Sequence, residues 1–221
     1  MVSGKANSSS RGSDAAADRP RPARGEKRVK PPLDEGALRD LALSYAARFA
    51  STGARLEAYL LRKLRERGTA TDADGREARI DIPALVARLV DLGYVDDAAY
   101  ARMRARDLGA RGYGARRVEQ ALWAAGVDED IRAETAPGEA ARRRAAVLMA
   151  QKRRLGPYGT ARDDGADPLA LRKAREKAVA AMLRAGHDYA DVRFILDAAG
   201  EAEVDAWLDE AADGEGSEGS W

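Results

Sequence analysis

The sequence predicts an all-α fold of three tandem three-helix repeats, and three observations support that reading. Ala, Leu, Arg, Glu and Asp dominate the 221 residues, with 45% apolar and only 5% aromatic side chains, a composition that favours helix over sheet. Apolar residues recur at three- and four-residue spacing through most of the chain, and almost nothing alternates as a strand would. Gly68, Gly126 and Gly186 close three helical segments at intervals of 58 and 60 residues. Leu64, Leu122 and Met182 stand four residues before them, and Leu60, Val118 and Ala178 stand eight before. That common register marks an internal repeat. A three-helix unit is too small to bury a large core alone, so each unit leans on its neighbours.

Residues 1–34 are polar and basic, rich in Ser, Gly, Pro and Arg, and read as a disordered extension. The first repeat is placed at 35–95. It opens with LRDLALSYAARFA, where Leu38, Leu41, Ala42, Tyr45 and Phe49 keep helical spacing. LEAYLLRKLRERG follows, with Leu56, Tyr59, Leu60 and Leu64 on one face and Gly68 as a C-terminal residue tolerant of left-handed backbone. Residues 69–81 are a polar insertion, either a mobile loop or a small turn pair. A third helix begins near Pro83, since proline suits a first turn, and ends before Gly93.

The second repeat, 96–137, contains AAYARMRARDLGA, GARRVEQALWAAG and the short DEDIRAETA. The third, 138–210, contains EAARRRAAVLMAQKRRLG, LALRKAREKAVAAMLRAG and YADVRFILDAA, with an acidic helix continuing from Glu201 through Trp207. Residues 211–221 read as an acidic disordered tail. Trp123 and Tyr94, lying among helical apolar residues, are expected in the core.

Several function classes fall away. Without cysteine there is no disulfide framework or thiolate metal site, and a single histidine, His187, gives zinc chemistry almost nothing to use. No cofactor or metal is therefore expected. His187 follows a helix end, where a dipole contact is a more natural role than catalysis. No apolar stretch is long enough to span a membrane, and no export signal stands at the N-terminus, so the expectation is a cytoplasmic protein. No serine-nucleophile motif and no carboxylate pair beside a histidine is present, and the chain does not read as an enzyme.

The net charge of +1 hides strong segregation. Ala98–Gly126 holds six arginines against two acids, Ala141–Arg154 six bases and no acid, and Asp197 to the end nine acids and no base. Such blocks suggest a basic working surface and an anionic partner. The basic candidates are Arg104, Arg106, Arg111, Arg116 and Arg117 in the first run, and Arg144, Lys152, Arg153 and Arg154 in the second. The adjacent Asp96 and Asp97 diverge by about 100° on a helix, so they do not converge on one metal or proton. At least one is expected to cap the helix that follows. GARGYGARR (Gly109 to Arg117) lacks the spacing of a phosphate loop and reads as a flexible connection between helices that tolerates tight packing, while its arginines also suit a contact loop.

One stretch carries a family pattern. Gly93-Tyr94-Val95-Asp96-Asp97, then Tyr100-Ala101, Gly112-Tyr113-Gly114, Arg116-Arg117, Leu122 and Gly126-Val127 occur in order, and this run resembles the central repeat of the RecX family of recombination regulators. YLLRKLRERG and MLRAGHDYADVRFIL resemble its outer repeats, with Asp188 as a cap. The likeness covers roughly 37–200 and departs from the family in the 69–81 insertion and the long N-terminal extension. It implies an elongated, curved body that acts as a monomer in DNA repair, homologous recombination and the SOS response. Such proteins lodge in the groove of RecA filaments on single-stranded DNA and restrain filament growth, ATP hydrolysis and strand exchange. Gly93, Tyr94, Asp96, Asp97, Tyr100 and Gly126 would then be structural and the basic residues would bind the partner. The alternative is a helical DNA-binding protein that uses its basic faces without RecA, with direct contact to phosphates.

Overall fold

Aspartate and threonine side chains start most of the helices, and the left-handed glycines end several of them. The computed structural model describes residues 30–71, 74–77, 79–159 and 167–218, the last four of these by their backbone. From Pro32 onward the chain is one unit; of the unit before it only Lys30 and Pro31 are described. The disorder expected of the N-terminal extension thus falls mostly outside the described residues.

Helix α1 (Glu35–Ala46) is capped by Asp34, whose Oδ1 accepts from Ala37 N at 2.7 Å. Thr52 precedes α2 (Gly53–Arg67), and Asp81 caps α3 (Ile82–Asp91), with Pro83 in its first turn. Then come α4 (Asp97–Ala110), α5 (Ala115–Trp123) and α6 (Glu129–Glu134). Helix α7 (Glu139–Arg153) leads through a 3-10 turn at Gly156–Tyr158 towards α8 (Pro168–Arg184), α9 (Tyr189–Asp197) and α10 (Glu201–Glu218). Each cap satisfies an N–H that the first helical turn leaves free, worth about 1 kcal/mol. Gly68, Gly126 and Gly186 have φ of +77°, +72° and +93°, values that favour a residue without Cβ.

Among the described residues the buried apolar side chains gather in three clusters. Leu38, Leu56, Leu60, Val86 and Leu89 centre the first, across α1–α3. Tyr100, Leu108, Val118, Leu122 and Val127 form the second, around α4 and α5. Val147, Met182, Val192, Ile195 and Val204 form the third, where α7 packs on α9 and α10. The repeat-register residues Leu60, Leu122 and Met182 are all fully or almost fully buried.

The structure differs from the sequence reading at several points. Trp123 is 69% exposed and Tyr94 56% exposed. Leu122 takes the buried position beside Trp123, since one step along a helix turns a side chain about 100° away from the core. Tyr94 lies in the connection between α3 and α4, where the next residue, Val95, is the buried one. Phe49 lies outside α1 and is exposed beside the Tyr45 ring. The boundary at residue 34 comes too late, since Leu33 is fully buried and its N–H donates to Gly68 O at 2.9 Å. The boundary at 211 comes too early, since α10 runs to Glu218 and Ala211 is buried. In the insertion, an isolated antiparallel bridge pairs Thr71 with Glu77, which is the turn-pair alternative.

Candidate interaction surface

The two aspartates have separate structural tasks. Asp96 caps its own helix, with Oδ1 accepting from Ala99 N at 2.7 Å. Asp97 accepts from Gly53 N at 2.9 Å and so caps α2, 44 residues earlier in sequence. Burial pushes the Asp97 carboxyl up from its ordinary range, the Gly53 N–H opposes that, and Asp96 adds to it. Beside this lock, Thr52 Oγ1 donates to Ala125 O at 2.5 Å and Arg55 Nη1 donates to Tyr100 Oη at 2.6 Å. An added Cβ on Gly126 would collide with Ala54.

The same scheme recurs between α5 and the end of α8. Gly114 N donates to Ala185 O at 3.0 Å, and Arg116 N to Gly186 O at 3.1 Å. An added Cβ on Gly114 would overlap the Gly186 carbonyl, and one on Gly186 would meet Arg117 N at 2.5 Å. The second half of GARGYGARR, from Gly112 to Arg117, is therefore a close-packed seam between helix groups. His187 lies in it, 2% exposed, with Nε2 3.0 Å from Gly112 O. The ring thus meets the carbonyl that follows α4, while the His187 N–H donates to Met182 O at the end of α8, the helix before it. Burial lowers its pKa, and the bond to Gly112 partly counters this.

These seams bring the basic runs together. Helix α4 packs against α7, and Lys152 Nζ donates to Arg111 O at 3.3 Å. Between the two helices lies a cavity of about 550 Å³, with Arg102, Arg106 and Arg144 on its edge and Tyr113, Val118 and Leu148 among its apolar lining. Among the described residues no ion pair or hydrogen bond holds Arg102, Arg106 or Arg144. Arg104 and Arg111 instead share Asp107, each at 2.9 Å, in solvent-accessible pairs on a half-exposed carboxylate that contribute little to stability. Arg153 ends α7 and Arg154 follows it, both exposed, where positive charge complements the helix dipole.

Arg116 and Arg117 are not part of that cavity. Arg116 lines a second one, of about 620 Å³, with Arg142, Arg143, Glu139, Asp188 and Asp191, where both signs of charge are present. Burial raises the Asp191 carboxyl there, against the pull of Arg142. Arg117 is exposed above the seam. The apolar floor of the first cavity was missed in sequence. The signal was present as two stripes at i, i+3, i+4 and i+7: Arg102, Ala105, Arg106 and Gly109 on α4, and Ala141, Arg144, Ala145 and Leu148 on α7. Among the described residues no cluster of His, Asp and Glu could hold a metal, and no helix is long and apolar enough to cross a membrane.

Residues 96–135 match the family description "RecX, second three-helix domain". The chain is 33% identical over 177 residues to the regulatory protein RecX of Myxococcus xanthus (strain DK1622), an alignment covering 79% of this chain and 91% of that one. A crystal structure of RecX from Lactobacillus salivarius superposes with a TM-score of 0.55 at 20% identity, covering 73% of this chain and 96% of that chain, a likeness of fold.

Proposed function

The chain belongs to the RecX family of regulatory proteins, and on that premise we propose that it is a non-enzymatic modulator of RecA filaments on single-stranded DNA. In this reading it acts as a cytoplasmic monomer of three repeats, the first taking in the buried Leu33, the second at 96–137 and the third taking in the buried Ala211. It lodges in the filament groove and restrains growth, ATP hydrolysis and strand exchange. The observation that carries the reading is the joining of two basic runs across the α4–α7 contact, marked by Lys152 on the Arg111 carbonyl. Arg104, Arg106 and Arg111 on one side and Arg144, Lys152, Arg153 and Arg154 on the other supply the attraction, with Arg116 and Arg117 on the neighbouring seam. Helix groups fastened by short backbone contacts present successive weak contacts in fixed register, which raises avidity without one strong site. Glycines and aspartates of the family pattern, with Tyr100, hold that register.

The test is ATP hydrolysis by preassembled RecA filaments on single-stranded DNA as the protein is added, with binding to bare DNA followed at the same salt. Inhibition at concentrations well below those that coat bare DNA is expected. Inhibition only at DNA saturation would transfer the activity to the DNA-binding alternative. Replacing Arg106 and Arg144 by Glu should weaken inhibition with helicity unchanged, and unaltered inhibition would remove the cavity arginines from the contact.

A further inference from the structure

The α4–α7 cavity combines three exposed arginines lacking a partner among the described residues with an apolar floor, and the chain carries a segment of matching chemistry. From Asp213 onward it reads DGEGSEGSW: three carboxylates, no base, and an aromatic residue at the end. We propose that this C-terminal segment docks in the α4–α7 cavity of its own chain, its carboxylates on Arg102, Arg106 and Arg144 and Trp221 over the apolar floor. It thereby competes with whatever anionic partner the basic face receives.

Position supports the assignment. Arg143 on α7 holds Trp207 O and also pairs with Glu210 at 3.3 Å. Arg142 and Arg144, one residue to either side, both line the cavity, and adjacent helical residues differ by about 100° around the axis. Glu210 is thus anchored one helix face away. The nine residues from Asp213 onward would span roughly 30 Å if extended, more than twice the width of a helix.

The end of α10 is also poorly held. Ala211 is its last buried residue, and Ala212, Asp213 and Gly214 are exposed. Gly214 and Gly216 each disfavour helix relative to Ala. Asp213 places negative charge towards the negative end of the helix dipole, and no base stands in the last turn. Unwinding from Asp213 therefore breaks no buried side-chain contact in the described structure and relieves an unfavourable charge arrangement. Docking then sets the segment's acids against arginines.

The experiment uses the full chain with Ser220→Cys bearing a nitroxide, and follows backbone amide signals by NMR. Attenuation at Arg102–Ala110 and Ala141–Leu148 is expected, weakened by added salt. Arg106→Glu with Arg144→Glu should abolish it while the remaining spectrum keeps its dispersion. Trp221→Ala, beyond the last buried residue described, should reduce it without touching the fold. Attenuation confined to the neighbourhood of Glu139 and Arg143 would overturn the proposal. So would attenuation that appears only between labelled and unlabelled copies. Removing residues 213–221 should also tighten binding of a labelled polyglutamate peptide at least about threefold, the lower end of what three exposed charge pairs contribute. No recombinase enters these measurements, so the tail proposal and the filament reading succeed or fail separately.

Discussion

Replacing Gly114 by Ala tests whether the seam between α5 and α8 depends on direct backbone contact. Gly114 has an ordinary φ of −78°, so alanine meets no conformational strain there. Its Cβ would overlap the carbonyl of Gly186 and the nitrogen of His187, and backbone atoms cannot turn aside as a flexible side chain can. The two strands of the seam must separate. Separation removes the Gly114 N to Ala185 O bond, the Arg116 N to Gly186 O bond and the His187 bond to Gly112 O. At about 1 kcal/mol each the three sum to about 3 kcal/mol, a large share of a typical domain's stability. With a urea slope of about 2 kcal/mol/M, the unfolding midpoint should drop by roughly 1.5 M. Gly109→Ala is the control: its Cβ meets nothing within 4 Å, and helix propensity predicts a gain of up to about 1 kcal/mol. A Gly114→Ala midpoint within about 0.3 M of the parent would refute the reasoning, because the seam would then tolerate a side chain.

Two further outcomes follow from the seams. Asp97→Ala should lose about 1 kcal/mol by urea denaturation, whereas Asp97→Asn keeps an acceptor for Gly53 N and should stay within about 0.5 kcal/mol. Because the folded Asp97 carboxyl titrates above its ordinary value of 3.8, its contribution to stability declines as pH rises through the folded pKa, and Asn should remove that decline. His187 has the opposite slope. Its folded pKa is lowered, so the unfolded chain binds the extra proton, and stability should fall as pH drops below about 6.5. Comparing urea midpoints at about pH 7.5 and about pH 5, His187→Gln should lose part of this dependence; an equal drop in parent and variant would assign it to other groups.

Most helices were legible because local chemistry signals them: Asp96 and Asp188 as caps, Pro83 in a first turn, and Gly68, Gly126 and Gly186 at left-handed ends. The repeat register was legible for the same reason, since Leu60, Leu122 and Met182 answer to one periodic rule. Contacts between helix groups were not. Nothing local distinguishes Asp97, which caps a distant helix, from Asp96, which caps its own. Trp123 shows the limit of periodicity, which places a stripe but not the residue one step off it, and Tyr94 lies in a connection where no helical period applies. The candidate face was half legible. Charge counting found the arginines, but the pairing of α4 with α7, which makes Arg106 and Arg144 neighbours around an apolar floor, is a tertiary fact.

The buried Leu33 has a wider consequence. Gly186 O accepts from Arg116 N of the preceding helix group, and Gly68 O, at the matching position of the first, accepts from Leu33 N instead. The chain thus closes its own first socket with its own backbone. Were that socket open, any copy offering a free helix start could plug into it, and the copy behind could do the same. Contacts of that head-to-tail kind do not close on themselves and grow into fibres. Leu33 thus occupies, from within the chain, the position at which a further stackable part would dock.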